Sequence, residues 1–173
     1  MLGVVLLSSV EFKDYSVQVK STLQDCAIAF LHEVGGELKS RAIRNSDMHR
    51  RSGKTSGSYD YTVDEGDFVA YIGSDYNNAL WEEFGTGQFA LKGDGRKGYW
   101  VYIDDGGASG NKSKSPKTYT LKEAKFIVAR MREKGLNAYY TNGKQARRPL
   151  WKAFESMKGN IDRMARERFG DLK

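Results

Sequence analysis

Apolar residues recur at three- and four-residue steps through Val19, Leu23, Cys26, Ala27, Phe30, Leu31, Val34, Leu38 and Ala42. This spacing predicts one amphipathic helix over 15–44 with a core-facing stripe. A helix of that length is about 45 Å long, more than the core of a small domain needs, so one end is expected to project towards a neighbour. Gly35 and Gly36 predict a kink or a close packing point within it, since glycine there costs about 1 kcal/mol relative to alanine. The polar stretch 45–58, with His49, Arg50, Arg51 and Lys54, reads as a mobile loop. Two strand-like segments, 59–63 and 68–72, flank a hairpin turn at 64–67. A short helix over 77–84 ends at Gly85-Thr86-Gly87, where glycine supplies a left-handed stop. Residues 99–103 (YWVYI) are aromatic and β-branched, as a strand requires. Residues 104–117 read as a flexible loop. Thr120-Leu121-Lys122-Glu123 fits a capping box, so a helix should run to about residue 134, followed by a short strand over 137–141. Pro149 suits the first position of a last helix to about residue 169. Its expected buried face is Leu150, Trp151, Phe154, Met157, Ile161, Met164 and Ala165.

The strands are too short and clustered for a doubly wound parallel sheet. The order predicts an α+β fold, with an antiparallel sheet packed against the long N-terminal helix and a C-terminal helix beyond it. At 173 residues the chain fits one domain over 1–173 with a protruding loop at about 104–117. The apolar run 1–10 is about half the ~20 residues of a spanning helix and follows no basic residues; a buried strand or interface arm is expected rather than a signal. Charged residues make up 29%, which argues for a soluble chain with no membrane span. A single cysteine, Cys26, fits assembly in a reducing cytoplasm.

Charge is segregated. Residues 55–91 contain no Lys or Arg but seven carboxylates (Asp60, Asp64, Glu65, Asp67, Asp75, Glu82 and Glu83), so that segment is −7 and, against the chain's +6, the remainder is +13. Complementary surfaces of this kind suit head-to-tail self-association or an adaptor of opposite charge.

Candidate chemistry is sparse. His32 and His49 are the only histidines, and neither has metal-ligand spacing to the cysteine or to the other histidine. Cys26 lies among Ala27, Ile28 and Ala29 in the helical pattern, a core setting rather than that of an accessible thiolate. Glu82 and Glu83 diverge by about 100° on a helix, so they suit a charged, interface-facing pair better than a shared ion or an acid/base couple. Asp104 and Asp105 fit a turn. The Gly93–Gly98 stretch precedes a strand, whereas phosphate cradles follow one. No catalytic, cofactor-binding or metal-binding residue is expected, and the chain reads as no enzyme. The basic tract from Lys144 to Arg168, with Tyr139 and Tyr140 as stacking candidates, keeps a nucleic-acid-binding accessory protein as the alternative.

Residues 71–87, YIGSDYNNALWEEFGTG, resemble the "VGS, YA, VEFGTG" signature of the siphophage neck and tail-completion family, whose members are described as minor capsid or tail-component proteins. Ala146-Arg147-Arg148-Pro149-Leu150-Trp151 is similar to the alanine-arginine-proline-phenylalanine-leucine run that opens the family's last helix. The stretch 51–59 resembles its approach to the hairpin. The chain departs from the pattern in its second arginine, in Leu150, in Asn77-Asn78-Ala79 and in a longer segment over 104–143. The resemblance implies a structural virion protein that forms a ring, six-fold or twelve-fold, at the head–tail junction as neck, tail-completion or tail-terminator layer. It implies contacts with a head-completion or connector protein and the tail tube protein, passage of double-stranded DNA through the lumen without sequence-specific binding, no cofactor, and assembly in the bacterial host cytoplasm. Trp81, Glu82, Glu83, Gly85, Thr86, Gly87, Arg147 and Arg148 are the candidate subunit or partner interface, with Phe84 expected in the core. Because a basic lumen would grip passing phosphates, Arg163, Arg166 and Arg168 are expected to face outward or to meet another protein.

Overall fold

The computed structural model describes residues 13–48, 53–104 and 117–170. The expectations for 1–10, for His49, Arg50 and Arg51, and for the loop over 105–116 lie outside the described residues. The first helix, α1 (Ser16–Asp47), runs unbroken through the glycine pair. The ring of Tyr61 occupies the place where a side chain at Gly35 would stand. The glycine is therefore a packing point and not a kink.

Only the second half of α1 is covered. Its buried residues are Val34, Gly35, Ala42 and Ser46, while every residue from 13 to 25 is exposed. Val19 and Leu23, expected on the core stripe, stand in solvent. The cause is the reach of the last helix, α4 (Pro149–Gly170), which runs antiparallel to α1. Asn45 Nδ2 donates to the Pro149 carbonyl at one end (3.0 Å), and Phe30 meets Phe169 edge-on at the other (5.7 Å between centroids). Arg168 closes that end on Glu33 at 2.6 Å. Upstream of Phe30 α4 has ended.

Strands β1 (Asp60–Asp64) and β2 (Val69–Gly73) form an antiparallel hairpin in the register Tyr61↔Ile72 and Val63↔Ala70. Those four half-buried residues face α1, leaving Thr62, Asp64, Val69 and Tyr71 on the exposed face. The hairpin is tied at its tip by Asp64 Oδ1, which accepts from the amides of Gly66 and Asp67 at 3.0 Å each. Phe68 completes the turn with φ of 52°, a left-handed conformation that aromatic residues rarely adopt. Helix α2 (Asn77–Phe84) follows. Ala79 of α2, Ala42 of α1, Ala153 of α4 and Tyr59 form one core, flanked by Leu38, Ile43 and Leu150. Three alanines let the helices approach closely.

A second core lies further along the chain. Strands β3 (Trp100–Ile103) and β4 (Ala138–Thr141) pair antiparallel, with Val101↔Tyr140 and Tyr102↔Tyr139. Helix α3 (Leu121–Glu133) covers one face, burying Val101, Ala124, Val128 and Ala138. The capping box is present: the Glu123 amide donates to Thr120 Oγ1 at 3.3 Å, and the Thr120 amide donates to Glu123 Oε2 at 2.8 Å. Donation from the Thr120 amide, and from the Thr120 hydroxyl at 2.8 Å, holds the Glu123 carboxyl below its ordinary pKa. The fold is thus α+β, with the antiparallel strands divided into two separate ribbons, β1–β2 on α1 and β3–β4 on α3. Each ribbon buries its apolar face on its own helix. Trp151 and Phe154, expected on the buried face of α4, point outward, because the stripe that meets α1 is Pro149, Ala153 and Met157. Among the described residues, no helix is long and apolar enough to cross a membrane.

Candidate functional site

The end of α2 and the start of α4 are built as one unit. Glu83 leaves the last turn of α2 and places its carboxylate over the first turn of α4, where Oε2 accepts from the Leu150 amide (2.9 Å) and Oε1 from the Trp151 amide (3.1 Å). The residue before Pro149 is Arg148, whose side chain has no acceptor, so α4 cannot cap itself. A carboxylate from another helix does it instead, in the position that the helix dipole favours.

Glu82 faces the other way. Its Oε2 accepts from Ser46 Oγ of α1 (2.9 Å) and its Oε1 from Lys144 Nζ (2.8 Å), with Arg147 Nη1 at 3.6 Å. Its backbone carbonyl accepts from the amides of Arg147 (2.7 Å) and Arg148 (3.1 Å). Both glutamates are buried, and both oxygens of each carboxylate have a partner within the chain. They hold α1, α2 and α4 together. The interface-facing pair read from the sequence is therefore an internal one: charge at this depth is retained where donors meet it.

After α2 the chain turns sharply and lays Gly85-Thr86-Gly87 along residues 142–144. The Thr86 amide donates to the Lys144 carbonyl and the Gln88 amide to the Asn142 carbonyl, both at 2.9 Å, while the Lys144 amide donates to Thr86 Oγ1 at 3.0 Å. Gly85 and Gly87 have φ of 71° and 61°. A side chain on Gly85 would run into the backbone of Phe89, Lys144 and Ala146, and one on Gly87 into Asn142 and the Trp100 ring. Glycine is required here on both counts.

Tyr59 closes the floor of the site at 1% exposure. Burial pushes its hydroxyl up to about 12, and the nearby charges of Glu82 and Glu83 add to the shift. Of the residues expected at an interface, Glu82, Glu83, Gly85 and Gly87 are thus interior, Thr86, Arg147 and Arg148 are half-buried, and Trp81 is exposed. Arg148 has φ of 55° and lays its guanidinium 3.9 Å from the centre of the Trp151 ring. Phe84, expected in the core, is 45% exposed beside Leu80 and Trp81, because α2 turns Ala79, Glu82 and Glu83 inward. The outer side of α2 is an apolar strip.

Sequence reasoning missed Ser46, Tyr59 and Asn142, and placed Lys144 in the basic tract without its partner Glu82. Ser46 and Tyr59 gave no local signal. Asn142-Gly143 was visible as a turn dipeptide beside the C-terminal motif, yet its register against Gly85-Thr86-Gly87 is set only by folding. Among the described residues no group of three or more His, Cys, Asp or Glu side chains is placed to hold a metal ion. No family model, curated protein or solved structure matches the chain.

Proposed function

We propose that this chain is a non-enzymatic structural subunit of a tailed-phage virion that forms a ring around the DNA channel at the head–tail junction. The supporting observation is the way its two signature-like stretches interlock. The Trp81–Gly87 stretch and the Ala146–Trp151 stretch resemble separate parts of one family pattern, and Glu83 joins them directly at Leu150 and Trp151. Residues serving one clasp account for why both stretches would occur together.

The surface also suits assembly. Among the described residues, five of the ten buried apolar residues are alanine, a small side chain that lets elements approach closely, whereas twenty large apolar side chains are exposed. Surfaces of that kind are covered by partners in stable assemblies. Native mass measurement of the purified chain, together with a search for it in purified particles, tests the reading. A closed ring and a virion-associated band are expected; a chain that stays monomeric at high concentration and is absent from particles contradicts it.

The nucleic-acid reading has one observation of its own. On the outer face of the β3–β4 ribbon, Arg96 lies over Trp100 (5.0 Å) and Arg132 over Tyr139 (5.2 Å), a pairing of cations and rings that single strands can exploit. Retention of DNA that falls with salt at a slope of several phosphates would favour it.

A further inference from the structure

The outward face of α3 carries a large aromatic residue that α3's own core does not use. Phe126 is 64% exposed in mid-helix, on the side opposite Ala124 and Val128. Lys122 and Arg130 lie one turn before and after it on the same face, Arg130 with its guanidinium 5.6 Å from the Phe126 ring centre and 3.6 Å from Glu133, while Lys125 flanks that face about 100° round the helix, all exposed. Over 121–134 the balance is five Lys or Arg against two Glu, or +3. One of those glutamates, Glu123, is committed to the capping box. The result is an apolar centre with a basic rim.

The tip of the β1–β2 hairpin is its counterpart. Asp64, Glu65 and Asp67 are exposed, and residues 60–75 contain five carboxylates and no Lys or Arg, or −5. Among the described residues, Lys39 on Asp60 is the only basic side chain paired to that segment, and it sits at the far end from the tip. Within the acidic rim stand Phe68, Val69 and Tyr71, exposed by 37%, 38% and 59%. Phe68 is held outward in its left-handed conformation by a turn that Asp64 ties down. The hairpin packs on α1, whereas α3 belongs to the second core.

Resting on the ring reading, we infer that the β1–β2 hairpin tip of one copy docks on the outer face of α3 of the next copy. Phe68 and Tyr71 meet Phe126, and Glu65 and Asp67 meet Lys122 and Lys125. The occupant is a second copy because the chain carries both complementary faces, of opposite charge and each with an aromatic centre. Two different patches make a heterologous contact, and such a contact propagates from copy to copy until the rotation closes it.

The experiment is a charge swap read by native mass and analytical ultracentrifugation, with circular dichroism to confirm folding. One variant carries Glu65→Lys and Asp67→Lys, a second Lys122→Glu and Lys125→Glu, and a third all four changes. All four positions are exposed, so the fold is expected to survive. Each two-site variant should need a subunit concentration about a hundredfold higher to assemble, since it sets like charges face to face. Mixed one to one, the two should co-assemble, reversed hairpin on reversed helix and native hairpin on native helix, and the four-site variant should assemble alone. A wild-type chain that never assembles overturns both the inference and the ring reading. Unimpaired assembly of either two-site variant, or loss that mixing does not restore, overturns the inference and leaves the ring intact. A helix variant that assembles normally but loses salt-dependent DNA retention assigns the α3 face to nucleic acid.

Discussion

Glu83 shows how much one side chain can be asked to hold. Its carboxylate accepts two amides of a helix that has no cap of its own, so Glu83→Ala leaves two part-buried donors without a partner and opens the α2–α4 contact. We expect unfolding free energy to fall by about 2 kcal/mol in urea titration, whereas Glu65→Ala at the exposed hairpin tip should change it by less than about 0.5 kcal/mol. A second residue gives a pH signature. Tyr59 has a folded pKa of about 12 against an ordinary 10.0, so above pH 10 the unfolded chain releases this proton first. The contribution of the neutral phenol is complete below pH 10 and is lost as pH rises towards 12. Melting temperatures from pH 9 to 12 should therefore fall more steeply for the native chain than for Tyr59→Phe.

At the level of elements, the sequence was most legible where the chemistry is local. Asn77–Phe84 as a helix, Pro149 at the start of another, and the Thr120–Glu123 box all stand where expected, because a cap, a glycine stop or a first-turn proline acts within four residues. What failed depends on distant partners. Periodicity marked Val19, Leu23, Trp151 and Phe154 as core, but a stripe is buried only where another element reaches it, and α4 stops short of the first turns of α1 while meeting it through alanines. Glu83 and Leu150 are 67 residues apart; no spacing rule connects them. Glycines divide in the same way. Gly87→Ala meets a left-handed backbone and the Trp100 ring, and should destabilise by more than about 2 kcal/mol in thermal unfolding. Gly159 lies within α4 with open space around it, so Gly159→Ala should stabilise by about 1 kcal/mol.

For the molecule as a whole, the two cores leave an uneven surface: compact where helices touch through alanine, apolar on α2, on the hairpin tip and on α3. If the hairpin tip seats on α3 of the next copy, assembly combines an apolar centre with a charged rim. Its midpoint concentration should then rise with added salt but stay finite at 1 M, where the Debye length is about 3 Å. A contact held by charge alone would dissociate completely, which sedimentation at stepped ionic strength can distinguish.

The uncovered beginning of α1 carries a consequence for time rather than for shape. Residues 16–25 keep their backbone bonds with no packing to guard them, and a helical end of that length opens readily by itself. Deuterium should enter those amides within seconds, while the amides around Val34 and Ala42, on the same continuous helix, wait for the whole core to open. A single helix should thus combine fast and slow exchange, and the position at which the rate changes should fall near Phe30, where α4 ends.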